Sequence, residues 1–421
     1  MSINKDNIEI MAPVGSYESL SAAIRAGAGA VYFGIDKLNM RSKSSINFTT
    51  KDLKEIVRKC RFFGIKTYLT VNTVIYDEDI PLMQEIIDAA GDYGVDAIIA
   101  SDTAAIEYAR QKGVNVHLST QVNISNTEAV RYYSQFSDVM VLARELNLDQ
   151  VKVISENIDK DNITGPAGKK VRLEMFVHGA LCMAVSGKCY LSLHEHNKSA
   201  NRGACLQNCR REYLVKDRDL GYELAIENEY IMSPKDLCTT SFIDKILESG
   251  VSILKIEGRG RSADYVSTVV KVYKEAVDAY FSGDFTQDNI QKWTTKLENI
   301  FNRGFWDGYY LGKRLGEWTE SYGSAAKKRK IQIGVAAKYF TKIKVAVFNL
   351  QSYDLEVGDE ILITGPTTGA VNAVVNEIRV DNSSVSKAVK GDEISIPLDF
   401  KVRRSDKLFK LVDANAKITQ L

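Results

Sequence analysis

A chain of 421 residues that is 45% hydrophobic and 26% charged, with only 6 prolines, has an ordinary globular composition, which excludes global disorder and collagen-like repeats. At about 150 residues per domain, the length gives two or three units, or one large α/β barrel with an appendage. Lys and Arg number 55 against 54 Asp and Glu, so the net charge of +1 points to neither nucleic acid nor membrane, although a local basic patch would still suit RNA.

Apolar runs such as VDAIIA at 95–100 fall far short of the ~20 residues a membrane span needs. The opening MSINKDNIEIMAPVG carries no apolar core followed by a small-residue cleavage site. The expectation is a cytoplasmic protein without a membrane partner. There the 6 cysteines stay reduced, and metal binding or catalysis explains them better than disulfides.

Along the first ~160 residues, short apolar runs alternate with segments of helical spacing. The runs are IEIMAP (8–13), AVYFGI (30–35), KTYLTVN (66–72), DAIIAS (96–101), VNVHLST (114–120) and DVMVLA (138–143). Nearly continuous apolar character fits parallel strands buried on both faces. Gly27, Gly64, Gly94 and Gly113 stand where left-handed helix caps are wanted. RLEMFVHG (172–179) is a seventh strand, and SILKIEG (252–258) an eighth, followed by the long helix ADYVSTVVKVYKEAVDAYFSG. Eight such units predict an α/β fold, a TIM-like (β/α)8 barrel over residues 1–325, with a doubly wound open sheet as the competitor. A Cys-rich insertion at about 180–250 follows the seventh strand, which puts it on the C-terminal face of the barrel, where barrel enzymes keep their chemistry.

After the basic run Lys327–Lys330, read as a solvated linker, the pattern changes to short alternating strands. Turn residues at Gly358-Asp359, Gly365-Pro366 and Gly391-Asp392 punctuate them, and residues 331–421 read as a C-terminal small all-β barrel domain. The phrases VGDEILITGP and KGDEISIPL are similar in pattern to the second-domain β-barrel of translation factors, a kind that often touches RNA.

Five cysteines, Cys182, Cys189, Cys205, Cys209 and Cys238, fall in or beside the insertion, whereas Cys60 sits in a helical pattern and reads as core. Clustered thiolates are soft ligands that select zinc or an iron–sulfur cluster. No paired C-x2-C knuckle is present, so a zinc ribbon fits poorly. His194-Glu195-His196 is not an HExxH helix site, no nucleophile elbow or P-loop occurs, and Gly258-Arg259-Gly260 is not a dinucleotide fingerprint.

The segments MAPVGSYESLSAAIRAGAGAVYFG, EMFVHGALCMAVSGKCYLS, NRGACLQNCRREY, SPKDLC, KIEGRGRSADYV and FNRGFWDGYY together resemble the peptidase U32 family over nearly the whole chain. That family was first labelled collagenase-like protease. Its better-understood members resemble prephenate-dependent tRNA uridine hydroxylases, a ribosomal-RNA cytidine hydroxylase and oxygen-independent ubiquinone hydroxylation proteins. The resemblance implies a [4Fe-4S] cluster. Matched position by position, Cys182, Cys189 and Cys205 are its first three metal ligands and Cys238 the fourth, with Cys209 a fifth thiol that is the alternative to Cys238.

The reading that follows is an iron–sulfur RNA-modifying enzyme, forming 5-hydroxyuridine at a tRNA wobble position with prephenate as the small-molecule hydroxyl donor. Its alternatives are a collagenase-like peptidase and a ribosomal-RNA cytidine hydroxylase; a non-enzymatic RNA-binding protein is a third class. Arg202, Arg210, Arg211, Lys255, Arg259 and Arg261 are expected around the barrel mouth, because guanidinium groups bind dicarboxylates and phosphates bidentately. Arg202, Arg210, Lys255 and Arg259 are the substrate-binding candidates. Glu174 and His178 lie four apart on the seventh strand, so regular alternation puts both on one side as candidates for proton transfer. The β-rich tail and the Lys327–Lys330 run are expected to hold phosphates flanking an unstacked anticodon base.

Overall fold

The computed structural model describes residues 4–42, 47–213, 230–312 and 315–416. Its first part runs β1 (Glu9–Pro13), α1 (Tyr17–Ala26), β2 (Ala30–Phe33), α2 (Thr50–Phe62), β3 (Lys66–Val71), α3 (Ile80–Tyr93), β4 (Ala97–Ala100), α4 (Thr103–Gln111), β5 (Val116–Leu118), α5 (Thr127–Tyr133), β6 (Val139–Val141), α6 (Leu148–Lys160) and β7 (Arg172–Ala180). It continues through α7 (Leu191–His196), β8 (Asp236–Cys238), α8 (Ile243–Glu248), β9 (Val251–Ile256), α9 (Ala263–Ser282), α10 (Gln287–Glu298) and β10 (Phe305–Trp306).

Strands β1 to β7 pair in parallel with their sequence neighbours, and β9 pairs in parallel with both β7 and β1. That last pair closes the sheet, so the fold is a (β/α)8 barrel and the open doubly wound sheet is ruled out. Local chemistry sets the elements. Ser16 caps α1 through a reciprocal box with Ser19, and Gly27 and Gly94 end their helices in the left-handed conformation. Inside the barrel, Met11, Tyr32, Tyr68, Ile99 and Val139 pack as one buried group, while the outward apolar residues of the strands pack under the helices in a larger core.

Two features depart from a simple barrel. The short β8 runs antiparallel to the end of β7, with Cys238 opposite His178, and β10 extends it in parallel. The long connection between β7 and β8 therefore starts and ends at the C-terminal rim. In addition, β7 and β9 shift register between Phe176 and His178. Phe176 faces Lys255 and His178 faces Ile256, so Val177 is an extra residue, a bulge.

The C-terminal part is all antiparallel: β11 (Lys328–Phe340), β12 (Val345–Leu350), β13 (Leu355–Glu356), β14 (Glu360–Gly365), β15 (Gly369–Val374), β16 (Ile378–Val380), β17 (Ser383–Val385), β18 (Lys387–Ala388), β19 (Glu393–Pro397) and β20 (Lys407–Asp413). Eight of these form a sheet in the order β15-β14-β20-β11-β12-β19-β16-β17, with β13 and β18 as a separate ribbon. The sheet wraps its own core, including Ile333, Phe348, Ile363 and Leu408, and shares no strand with the barrel. It docks on α1 and α9 through Ala22, Ala263, Leu362 and Ala370, and Ser21 donates a 2.6 Å hydrogen bond to the Pro366 carbonyl. The basic run is not a free phosphate-binding patch. Lys327 pairs with Glu298 at 2.6 Å, Lys328 with Glu360 at 2.5 Å, Lys330 with Asp264, and Arg329 donates to the Ala416 carbonyl. Among the described residues, no helix is long and apolar enough to cross a membrane.

Candidate functional site

A cavity of about 300 Å³ opens at the C-terminal mouth of the barrel, between the strand ends and the loops that follow β7. Cys182, Cys189, Cys205 and Cys209 all line it. Cys182 is exposed and the other three are half-buried. Burial pushes the Cys189 and Cys209 thiols up, and the neighbouring cysteines push them further, since thiolates crowded around one space repel. A positively charged metal centre relieves that repulsion. Among the described residues, no three His, Cys, Asp or Glu side chains converge on a position for one ion. Four thiols spread around a cavity instead fit a polynuclear centre, in which each metal takes its own thiolate.

Cys238 is not one of this set. It stands on β8 opposite the outward-facing His178 and therefore points to the outside of the barrel, where its sulfur lies 3.3 Å from the Thr240 hydroxyl. The fourth thiol of the cavity is Cys209, the alternative to Cys238, and Cys238 does not line the cavity.

The rest of the wall is cationic. Arg210, Lys255, Arg259 and Arg261 line it, as do Arg41, Arg144 and Arg303, and among the described residues Glu257 is the single carboxylate there. Arg259 is buried and donates to Asn39 Oδ1 at 3.0 Å and Thr70 Oγ1 at 2.9 Å. A side chain at Gly34 would come within 2.6 Å of its Nη1, so glycine there is what admits the guanidinium. Burial pushes the Arg259 guanidinium down to about 10, which leaves it charged at neutral pH. Arg210 is spent on the loop around it: it donates to Ser233 Oγ at 2.9 Å and to the Pro234 and Leu181 carbonyls at 2.8 and 2.5 Å, pinning the cysteine loop. Arg144 lies on the Phe176 ring, 3.8 Å from its centroid, and its buried Nε has no partner. Burial alone would raise the Glu257 carboxyl, but Arg41, Arg144 and Arg259 outweigh it and hold it below the usual range.

Arg202 is elsewhere. It pairs with Asp79 at 2.5 Å, lies over the Tyr76 ring, and does not line the cavity, so it anchors the loop rather than binding ligand.

Beneath the cavity, Lys255 Nζ donates to Glu174 Oε1 at 2.5 Å. Glu174 is fully buried, and its Oε2 faces His117 Nδ1 across 3.9 Å. Neither atom has a hydrogen-bond partner. The His117 ring packs at a tilt against Tyr68, whose hydroxyl donates to Glu9 at 2.7 Å, and Glu9 meets Lys66 at 2.7 Å. Burial raises the Glu174 carboxyl against the pull of Lys255, and burial drives His117 well below its ordinary value.

Glu174 and His178 do not share a side. The bulge at Val177 turns His178 outward, where it packs among Tyr265, Tyr273 and Phe305 with ring centroids 5.6–5.9 Å away. Burial and Arg261 push it down to about 3. His178 does not line the cavity; the histidine near Glu174 is His117, from β5. Arg144, Arg41 and Arg303 were not among the residues expected at the mouth; Arg144, three residues beyond β6, could have been found as a charged residue on the C-terminal face, whereas Arg41 and Arg303 carry no local signal.

The fold is a parallel (β/α)8 barrel whose mouth holds four thiols inside an arginine wall. The model of Peptidase family U32 matches residues 15–320, and the chain belongs to that family. It is 62% identical over 408 residues to a protein named Collagenase from Porphyromonas gingivalis, covering 97% of this chain and 99% of that one. It is 34% identical to a tRNA hydroxylation protein of Bacillus subtilis, covering 85% of this chain and 83% of that one. It is also 33% identical to a 23S rRNA 5-hydroxycytidine synthase of Escherichia coli, covering 75% of this chain and 47% of that one.

Proposed function

We propose that this protein is an iron–sulfur RNA-modifying enzyme that hydroxylates a pyrimidine base, and that its substrate is a tRNA wobble uridine with prephenate as hydroxyl donor. The observation that carries this reading is the sharing of one cavity by four cysteines and an arginine wall. The relatives named for tRNA hydroxylation and 23S rRNA 5-hydroxycytidine synthesis, at 34% and 33% identity, support RNA as the substrate class.

Cys182, Cys189, Cys205 and Cys209 would hold a [4Fe-4S] cluster, which supplies a redox-active Lewis-acidic centre beside the ligand. The chain's own groups do the rest. Arg259 and Arg144 present fixed cations for a dicarboxylate or a phosphate. Arg210 holds the cysteine loop in place over the mouth. A single-stranded base reaches it at the least cost in unstacking, and its phosphate contacts make affinity fall with salt.

The second reading, a peptidase, is favoured by the 62% identical relative named Collagenase. A Ser- or Cys-dependent peptidase needs a nucleophile beside a base. Among the described residues no histidine lines the cavity. Nucleoside mass spectrometry of tRNA and ribosomal RNA from a deletion strain separates the readings. Loss of a 5-hydroxypyrimidine, restored by the wild-type gene and not by Cys205→Ala, is expected. Unchanged nucleosides together with collagen cleavage by the colourless protein would replace this reading with the second.

A further inference from the structure

Two buried atoms without partners, Glu174 Oε2 and His117 Nδ1, face each other in the barrel interior. At 3.9 Å no hydrogen bond joins them, so we assign the imidazole proton to Nε2; both atoms are then acceptors while the carboxyl is ionised. Nothing then lies between them to donate, and a buried unsatisfied pair is costly. One added proton satisfies both at once: a protonated Oε2 donates to Nδ1 after the 3.9 Å gap closes by about 1 Å, to an ordinary hydrogen-bond length. The other carboxyl oxygen, Oε1, already holds Lys255, the side chain that lines the cavity floor. The site is thus built to receive a proton, and its entrance is the cavity.

We propose that Lys255 and Glu174 form a proton-accepting couple for the reaction in the cavity, with His117 receiving the protonated carboxyl. Lys255 is the catalytic residue, because it faces the ligand; Glu174 and His117 are positioning residues that act through it. The step balances without another reactant. Lys255 passes one ammonium proton to Glu174 Oε1, the carboxyl turns so that the protonated oxygen meets His117 Nδ1 and the other oxygen accepts from Lys255, the free amine takes a proton from the ligand, and the ligand keeps the electron pair of the broken bond. The sum is one proton moved from ligand to Glu174.

This inference rests on the hydroxylation reading for its purpose: replacing a ring hydrogen by a hydroxyl from a donor that keeps the electron pair of its own broken bond to oxygen releases that hydrogen as a proton. The groups facing Glu174 are Lys255 from β9, His117 from β5, Glu9 from β1, Tyr68 from β3 and Arg172 from β7. Burial is the largest influence on its carboxyl and moves it upward. The couple works only while Glu174 is ionised, so the rate falls as pH drops through this raised value.

The test uses the iron-loaded protein purified without oxygen. Glu174→Gln should keep iron and RNA affinity, lower kcat about 100-fold or more with little change in KM, and abolish the acid limb of the rate–pH profile. His117→Phe should shift that limb to lower pH by removing the acceptor that stabilises the protonated carboxyl. Infrared difference spectra taken from mildly alkaline to mildly acidic pH should show a buried protonated carboxyl in the wild type, displaced in His117→Phe and missing in Glu174→Gln. A wild-type kcat and acid limb in Glu174→Gln, or a wild-type spectrum without that band, overturns the couple. If the wild type shows the band and hydroxylates no RNA, the couple stands and the hydroxylation reading falls.

Discussion

Arg202 lies face-on over the ring of Tyr76, its guanidinium carbon 3.7 Å from the centroid, and pairs with Asp79 in the same loop after β3. Three residues on, Cys205 faces the cavity, so this contact ties a cysteine-bearing loop to the rigid end of a barrel strand. Arg202→Ala removes a stacked cation and a half-buried ion pair, together about 1–3 kcal/mol of local order. The expected result is lower iron content and faster loss of colour in air, with thermal unfolding of the barrel nearly unchanged. Full iron retention would show that the loop holds its place without the anchor.

Cys209 and Cys238 make opposite predictions. Cys209→Ala takes one of four thiols from the cavity, whereas Cys238→Ala removes a sulfur that packs beside Thr240 on the outer face. Iron analysis of the anaerobically purified variants should show cluster loss in the first and wild-type iron in the second. A Cys238→Ala protein without iron would return Cys238 to the ligand set.

Cys238 entered the ligand set through the family resemblance, which does not fix the direction of its side chain. The barrel was legible because buried parallel strands are apolar throughout and glycine ends their helices. The cysteine loop was legible because soft ligands cluster and follow a strand. Side-chain direction at the rim was not. Alternation places His178 with Glu174, and one extra residue at Val177 reverses it; Cys238, paired opposite His178, goes with it. A bulge of this kind leaves no trace in hydrophobic pattern, because both faces of β7 are buried. His117, more than fifty residues away in sequence, could not be matched with Glu174 before β5 and β7 were seen to flank β6 and to point these two side chains into the same barrel interior.

Acid should destabilise the fold through its buried histidines. His178 is pushed down to about 3, and His117 is also lowered, both mainly by burial, while an unfolded histidine titrates near 6.5. Below about pH 6.5 the unfolded chain therefore binds more protons than the native one. The stability contributed by keeping these rings neutral is complete above that pH and is lost progressively as pH falls toward 3. Each ring contributes at most about 1.4 kcal/mol per pH unit within this window. Denaturant unfolding at stepped pH should give a shallower acid slope for His178→Gln than for the wild type. An identical slope would mean that carboxylates alone govern the acid side.

The docking of the β domain depends on a missing side chain. Gly369 opens β15 with φ +74°, and a Cβ there would lie 2.8 Å from the Ala22 nitrogen and 2.9 Å from the Ser21 carbonyl carbon, both backbone atoms of α1. Any substitution meets two costs, the left-handed backbone and the clash. Gly391 isolates the first, since it has φ +100° with open space around it. Gly391→Ala should cost about 1–2 kcal/mol from conformation alone. Gly369→Ala should cost that amount plus about 1–3 kcal/mol for overpacking, relieved by lifting the sheet off α1 and α9. Limited proteolysis of the full chain should then cut between the barrel and β11 faster in Gly369→Ala than in Gly391→Ala, and the two domains should unfold in separate thermal transitions. Equal cleavage rates and one shared transition in both variants would show that the interface formed by Ala22, Ala263, Leu362 and Ala370 tolerates the added methyl group, and that the close approach at Gly369 is not what holds the domains together.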